Sequence, residues 1–223
     1  MNPLYFILRN DNSYDKRSPV RHLCLIVFLA LISACAEEEA QLNPLSGSST
    51  ILAFGDSLTF GTGVAKNKSY PAILEQLTGI SVINEGIPGE VSEKGLSRLG
   101  SLLKKHQPDL VILCHGGNDL LQKLDVQLTK NNLKAMIMMI EDHGSEIVFL
   151  SVPRPGIMLS PAPFYQEISE EIDVPIITGL LSEILSNNQL KSDTAHPNEK
   201  GYRKMARSIA NLLVKRNAIP PLN

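Results

Sequence analysis

The sequence predicts an α/β fold of three layers, α/β/α, built on a five-stranded parallel sheet. From about residue 50 to residue 215, short apolar runs alternate with longer segments in which apolar residues recur at helical spacing. This alternation is typical of parallel strands joined by right-handed crossover helices. The run at residues 110–114 is apolar throughout, which indicates a strand covered on both faces.

Each element has a local signal. Residues 51–53 form a short apolar run typical of a buried strand. A helix over residues 71–77 is indicated by Pro71, which fits a first helical turn, and by Gly79, which is typical of a helix end. Similar apolar runs predict further strands at residues 80–83, 110–114, 146–151 and 174–177. Helical spacing predicts further helices at residues 92–106, 125–143, 164–172 and 179–186, and an amphipathic one that ends near residue 215.

The composition of the chain limits the classes of function that it can have. The chain has 223 residues, of which 43% are hydrophobic and 20% charged, and its formal net charge is −2. These values are typical of one globular domain, with or without a tail. The near-neutral balance gives no electrostatic reason to expect nucleic-acid binding. The cysteines have neither the spacing of a metal site nor that of a disulfide framework, and Cys114 is expected to be a small buried residue.

The N-terminal region has the pattern of an export signal. Residues 23–32 form an apolar run that is too short to span a membrane, and basic residues precede it. The run ends in Ile32-Ser33-Ala34-Cys35, which resembles the lipobox of bacterial lipoproteins and makes Cys35 the candidate lipidation site. An ordinary signal peptide or an uncleaved anchor is the alternative. A lipid anchor at Cys35 would place an exported protein on a membrane, facing the periplasm or the cell exterior.

The predicted organisation has four parts. A signal peptide with lipobox covers residues 1–35, and an acidic segment rich in Pro, Gly and Ser forms a flexible tether over residues 36–49. The folded domain covers residues 50–217, and residues 218–223 form a C-terminal tail.

Four polar segments follow predicted strands. They are Ser57, residues 84–89, residues 115–119 and residues 153–156. Because the carboxyl ends of parallel strands meet at one edge of a sheet, these segments are expected to gather there. Asp193 and His196 follow the fifth strand and can reach the same edge.

A serine needs a base, and the base needs an orienting partner, before it becomes a good nucleophile. Asp193 and His196 are separated by two residues before a helix, so the carboxylate can reach Nδ1–H of the imidazole while Nε2 faces Ser57. Pro197 at the helix start stiffens this arrangement. Taken alone, each motif is also explained as turn and surface residues.

Acyl transfer also needs hydrogen-bond donors where negative charge develops. The Ser57 amide, the Asn118 side chain and the amide of a loop glycine are the candidates. Gly89 suits the glycine role, and Gly86 competes with it. The alternatives are plain turn chemistry for the glycines and a helix cap for Asn118 and Asp119.

Four blocks of the chain together resemble the SGNH, or GDSL-type, hydrolases. The blocks are Gly55-Asp56-Ser57-Leu58-Thr59, residues 84–89, Gly116-Gly117-Asn118-Asp119, and residues 193–198. The resemblance spans about residues 50–215 and favours the bacterial thioesterase I, lysophospholipase and arylesterase branch. It implies the flavodoxin-like fold of that family.

The resemblance also implies roles. Ser57 would be the nucleophile, His196 the base and Asp193 its partner, while Ser57 N–H, Gly89 N–H and the Asn118 side chain would form the oxyanion site. Gly89 is preferred over Gly86 because that branch uses the last glycine of its second block. No metal or organic cofactor is implied. Asp56 is expected to brace the nucleophile loop, and His115 to be incidental.

The expected function is that of a serine esterase that cleaves carboxylic esters or thioesters, lysophospholipids included, through an acyl-enzyme. One alternative is a carbohydrate O-deacetylase or acyltransferase of the cell envelope. Another is a catalytically silent envelope lipoprotein that binds a ligand in the same cleft. The segment from Pro153 to Pro163, which contains Met158 and Leu159, either lines an acyl pocket or is a surface loop.

Overall fold

The computed structural model describes residues 41–156 and 158–222. The predicted signal peptide, the lipobox with Cys35 and the first five residues of the predicted tether lie outside this range.

One parallel sheet of five strands forms the centre of the fold. Its strands are β1 (Thr50–Gly55), β2 (Ser81–Gly86), β3 (Leu110–Cys114), β4 (Glu146–Leu150) and β7 (Ile176–Ile177). Their spatial order is β2-β1-β3-β4-β7, and every neighbouring pair is parallel. With the strands of this sheet counted along the chain, the order is 2-1-3-4-5, which is that of flavodoxin-like folds.

Helices connect the strands. They are α1 (Ser57–Phe60), α2 (Tyr70–Thr78), α3 (Ser92–His106), α4 (Gly117–Leu121), α5 (Val126–His143), α6 (Pro163–Ile172), α7 (Leu180–Ser186) and α8 (Glu199–Lys215). The bounds of α3 and β3 agree with the prediction. The predicted long loop after β4 contains a short antiparallel pair, β5 (Pro153–Arg154) with β6 (Ser160–Pro161).

The core lies on both faces of the sheet. Every residue of β3 is fully buried, and so are Ile51 to Phe54 of β1, although successive side chains of a strand point to opposite faces. Helix α2 packs against α8, and α3 packs against α5, so that each helix pair forms a layer. The predicted three-layer α/β/α architecture is therefore confirmed, as is the burial of Cys114.

Two predicted boundaries are wrong. Leu42 is 5% exposed, its N–H donates to the carbonyl of Arg216, and Leu45 N–H donates to Ala218 O. Ala218 and Ile219 are buried in the same core. The folded domain therefore begins at or before Leu42 and extends at least to Ile219. The apolar side chains of both segments are buried in its core, although the composition of these segments is typical of loops.

The N-terminal segment joins the domain away from the carboxyl ends of the strands. Asn43 N–H donates to the side chain of Glu146, the first residue of β4.

None of the described helices has the length and the apolar character that a membrane-spanning helix needs.

Candidate active site

The predicted nucleophile lies directly after the first strand. β1 ends at Gly55, and the Asp56 carboxylate caps α1 by accepting the N–H of Leu58 at 3.0 Å. Ser57 is therefore the first residue of α1, where a helix leaves its N–H groups unpaired. Because β2 and β3 flank β1 on opposite sides, this strand end borders the crevice at which open α/β sheets bind ligands.

The three side chains predicted to act together are in hydrogen-bond contact. His196 Nε2 lies 2.9 Å from Ser57 Oγ. His196 Nδ1 lies 2.9 Å from Asp193 Oδ2 and 3.0 Å from Oδ1. Asp193 Oδ1 also accepts the backbone N–H groups of Ala195 and His196, so one carboxylate holds both the loop before α8 and the imidazole.

The electrostatics of this pair favour a charged carboxylate. Partial burial raises the pKa of Asp193, but hydrogen bonds from Ala195 N–H and from His196, together with the His196 charge, outweigh it and hold that pKa below its usual value. An ionised Asp193 accepts from Nδ1–H of the imidazole. When the imidazole is neutral, Nε2 is then the unprotonated nitrogen, and it faces the Ser57 hydroxyl.

The turn after β2 presents Gly89. The N–H of Glu90 donates to Ile87 O at 3.2 Å, and Gly89 has φ +80°, as a type II turn requires at its third position. Gly89 and Ser57 line the same cleft. Within residues 41–156 and 158–222, neither of their N–H groups donates to another protein group, so both are available to a ligand oxygen.

Gly86, the competing glycine, is occupied. Its N–H donates to Asn84 Oδ1 at 3.0 Å. A Cβ at this position would lie 2.1 Å from the backbone nitrogen of Phe60, so Gly86 permits a close approach of two backbones. The geometry therefore favours Gly89 as the glycine donor.

Asn118 lines the cleft from the first turn of α4, and its amide nitrogen is held from two sides. Nδ2 donates to the carbonyl of Glu90 at 2.9 Å and to Asp56 Oδ2 at 3.2 Å. These bonds fix the amide beside Ser57. Asp119, the next residue, accepts the N–H of Ser92 at 2.8 Å and so joins α4 to the start of α3.

Asp56 is buried behind the nucleophile. Burial raises the pKa of Asp56, an effect that the two nearby histidines and the Leu58 N–H partly offset. Its two oxygens accept from Leu58 and Asn118, which agrees with the predicted bracing role.

His115 does not face the cleft. Its ring is fully buried, Nδ1 accepts the N–H of Gly116, and Nε2 lies 3.2 Å from Glu90 Oε2. The same carboxylate is bound by Arg98. Sequence reasoning missed Glu90 and Arg98. A charged residue directly after the predicted donor Gly89 was the available signal.

A cleft of about 480 Å³ opens beside Ser57 and His196. Its lining presents hydrogen-bonding groups of Ser57, Gly89 and Asn118. The rest of the lining, called here the apolar side of the cleft, is mainly apolar and includes Leu121, Val152, Pro153, Pro155, Leu159 and Leu185. Met158, in contrast, is 88% exposed and is not part of the lining. In the part of the chain that the structure describes, no three His, Cys, Asp or Glu side chains are grouped to hold a metal ion.

Comparisons with known proteins identify the family of the chain. Residues 53–204 match the GDSL-like Lipase/Acylhydrolase family. The chain is 30% identical to an arylesterase of Vibrio mimicus over 207 residues, which cover 88% of this chain and 98% of that protein. It is 31% identical to thioesterase 1/protease 1/lysophospholipase L1 of Escherichia coli (strain K12) over 176 residues, which cover 75% and 85%.

Solved structures give the same result. The psychrotrophic esterase EstA from Pseudoalteromonas sp., in a structure inhibited by monoethylphosphonate, matches with a TM-score of 0.65 and 25% identity, covering 74% of this chain and 99% of that one. AlinE4, an SGNH-hydrolase family esterase, matches with a TM-score of 0.59 and 28% identity, covering 77% and 97%. The chain therefore belongs to the GDSL-like lipase/acylhydrolase family, and it is an SGNH-type serine hydrolase that acts on ester bonds.

Proposed function

We propose that this hydrolase cleaves carboxylic esters and thioesters with short to medium acyl chains, by way of an acyl-enzyme on Ser57. The observation that supports this most is the continuous hydrogen-bonded series from Asp193 through His196 to Ser57 Oγ. It supplies a nucleophile, a base and an orienting carboxylate at the mouth of a cleft.

In the first half-reaction, Ser57 Oγ attacks the carbonyl carbon while His196 Nε2 takes the hydroxyl proton. The C–O or C–S bond then breaks, and the imidazolium returns that proton to the leaving alcohol or thiol. In the second half, water attacks the acyl-enzyme, His196 takes the water proton, and Ser57 recovers it as the carboxylic acid leaves. Asp193 stabilises the imidazolium in both halves without taking a proton itself.

The oxyanion of each tetrahedral intermediate would be bound by Ser57 N–H, Gly89 N–H and the Asn118 amide. Among the described residues, neither of the two backbone groups donates to another protein group. The Asn118 amide already donates two hydrogen bonds, so it must share one of them with the oxyanion. The bond to Asp56, at 3.2 Å, is the longer of the two and is the one expected to be shared. Each such donor is worth on the order of 10²–10³ in kcat in well-studied acyl-transfer enzymes.

The apolar side of the cleft suits an acyl chain. Leu121, Val152, Leu159 and Leu185 offer hydrocarbon surface with no charged group among them. Burial of each CH₂ of a substrate there would favour binding by about 0.8 kcal/mol. The names of the relatives support thioesters, aryl esters and lysophospholipids as substrates to test.

Hydrolysis of p-nitrophenyl esters of graded chain length tests the proposal. Ser57→Ala should abolish turnover, while Ser97→Ala, an exposed serine on α3, should leave it unchanged. Thermal unfolding of both variants should match the unsubstituted protein. Unchanged turnover in Ser57→Ala would overturn the mechanism. A strict preference for acetyl esters would instead favour an O-deacetylase.

Export and lipidation at Cys35 are part of the same proposal, supported by the apolar run and the lipobox-like Ile32-Ser33-Ala34-Cys35. Expression in a bacterium fed a labelled fatty acid tests it. Cys35→Ser should lose the label, and Cys24→Ser, within the apolar run, should keep it. Label retained in Cys35→Ser would refute the assignment.

A further inference from the structure

The turn that presents Gly89 is not held by Gly89 itself. The residue is exposed, and no atom lies within 4 Å of where its Cβ would be. One end of the turn is fixed by the N–H of Ile87, which donates to Gly55 O at 3.1 Å. The other end is Glu90, so the direction of the Gly89 N–H depends on what holds Glu90.

The Glu90 carboxylate is clamped by Arg98 of α3. Arg98 Nε lies 2.8 Å from Oε1 and Nη2 lies 2.7 Å from Oε2, which is the bidentate geometry of a strong arginine–carboxylate pair. The Glu90 side chain is only 7% exposed. Although burial raises the pKa of Glu90, hydrogen bonds from His115 and Arg98 outweigh it and keep the carboxyl group charged.

Arg98 also joins the ends of two strands. Its Nη2 donates to Glu85 O at 2.9 Å and to Gly55 O at 3.3 Å. Its guanidinium lies 4.3 Å from the centre of the Phe54 ring, a cation–π contact. Arg98 therefore fixes the position of Glu90 relative to the end of β1, where Gly55 lies two residues before Ser57.

His115 bonds the same carboxylate from the end of β3. Because Nδ1 accepts from Gly116 N–H, the ring proton of the neutral imidazole lies on Nε2, which donates to Glu90 Oε2. Helix α3 leaves room for this ring only through Gly95, where a Cβ would lie 2.4 Å from His115 Nε2. The imidazole is thus enclosed and can bond little else.

Glu90 reaches the second donor through its backbone. Its carbonyl accepts Asn118 Nδ2 at 2.9 Å, the shorter of the two bonds of that amide. One residue therefore adjoins Gly89 in the chain and holds Asn118 in space, while its side chain is tied to the ends of β1 and β3.

We propose that Glu90 is the positioning residue of the oxyanion site, and that its carboxylate, clamped between Arg98 and His115, sets the relative position of Gly89 N–H and the Asn118 amide. Glu90 does not touch the substrate. The inference rests on the proposed function, because it assumes that these two donors bind the oxyanion.

Steady-state hydrolysis of a soluble p-nitrophenyl ester by Glu90→Gln tests this. The amide keeps the shape of the carboxylate but weakens its contacts with Arg98 and His115. We therefore expect kcat to fall about 10- to 100-fold, which is no more than the loss expected when a whole oxyanion donor is removed. KM should stay within about twofold, because ground-state binding uses the apolar side of the cleft. Glu93→Gln, an exposed glutamate three residues later, is the matched control and should match the unsubstituted protein.

A double-mutant cycle separates positioning from general destabilisation. If Glu90 acts through Asn118, the costs of Glu90→Gln and Asn118→Ala in kcat should be clearly less than additive. Additive costs, or an unchanged kcat in Glu90→Gln, would overturn the inference.

A second pair of variants covers the case in which Glu90→Gln does not fold. His115→Gln keeps a donor toward Glu90 and should retain most of kcat, whereas His115→Leu removes the donor and should lose about tenfold or more. Equal kcat in the two would also overturn the inference. If Ser57→Ala remains active, the proposed function itself fails. If only Glu90→Gln and the His115 variants behave like the unsubstituted protein, the positioning role alone fails.

Discussion

His196 Nε2 lies 2.9 Å from Ser57 Oγ, although the two residues are 139 positions apart in the chain. The serine follows the central strand β1, and the histidine precedes the last helix, α8. Parallel topology brings these distant segments to one edge of the sheet. The contact between them therefore depends on the whole fold, and single substitutions in either segment should separate chemistry from stability.

Asp193→Asn should reduce kcat by on the order of 10²–10⁴, because an amide no longer stabilises the imidazolium and can favour the wrong tautomer. KM and the unfolding temperature should change little, since the Asp193 side chain is 53% exposed. Steady-state kinetics and thermal unfolding measure both. Asp142→Asn, at an exposed position on α5, is the control. A kcat equal to that of the control would exclude Asp193 as the partner of His196.

Gly89→Ala and Gly79→Ala form a matched pair. Both glycines have positive φ, +80° and +70°, and neither has an atom within 4 Å of its Cβ position. Each substitution should therefore cost about 1–2 kcal/mol of backbone strain. Only Gly89→Ala should also lower kcat, by about tenfold or more, because the strained turn redirects a donor worth 10²–10³. Urea unfolding and ester hydrolysis together test this, and equal kcat values would speak against Gly89 as a donor.

Leu159→Trp should shift the chain-length preference toward shorter acyl groups, because the larger ring occupies part of the apolar side of the cleft. The ratio of kcat/KM for octanoyl and butyryl p-nitrophenyl esters should fall about 4- to 15-fold, which corresponds to the binding energy of one or two buried CH₂ groups. Met158→Trp, one residue earlier and pointing to solvent, should leave the ratio unchanged. An acyl chain that binds elsewhere would make the two variants alike.

The pH dependence of the free energy of unfolding should reveal the stabilisation that comes from the Glu90 carboxylate bound to Arg98 and His115. Burial raises the pKa of Glu90, but hydrogen bonds from His115 and Arg98 outweigh it and lower this pKa in the folded state below its unfolded value of about 4.3. Between the pKa values of Glu90 in the folded and unfolded states, the unfolded chain then binds more protons than the folded protein. The contribution of Glu90 to the free energy of unfolding is therefore complete above about pH 4.3 and is lost as the pH falls through the folded-state pKa. The difference in unfolding free energy between the unsubstituted protein and Glu90→Gln should therefore shrink from pH 6 to pH 3. A difference that does not depend on pH would contradict the clamp.

Local signals were sufficient for most of the regular elements. The apolar run of β3 and the leucine spacing of α3 have no competing interpretation, and both were predicted with their observed bounds. Helix α1 was not predicted, because four residues are too few for a periodic pattern and Gly61 follows them. The β5–β6 pair was missed for a similar reason: two-residue strands rich in proline have no alternation to detect.

Long-range contacts explain the remaining differences. Leu42 belongs to a segment of tether-like composition, and only its packing near α8 shows that it is part of the core. The meeting of Ser57 with His196 could be expected from parallel topology. The link from Glu90 to Arg98 and His115 could not, because it depends on how a turn, a helix and a strand end face one another.

The most direct test of the account is the covalent adduct with a fluorophosphonate probe. An activated serine Oγ displaces fluoride from the phosphorus of this probe, and the phosphoryl oxygen of the tetrahedral adduct is expected to occupy the oxyanion site. After incubation, digestion and mass spectrometry, the unsubstituted protein should carry one adduct, on the peptide that contains Ser57, and Ser57→Ala should carry none. His196→Ala should be modified far more slowly, because the serine then lacks its base. An adduct on another residue, or equal labelling of Ser57→Ala, would contradict Ser57 as the nucleophile.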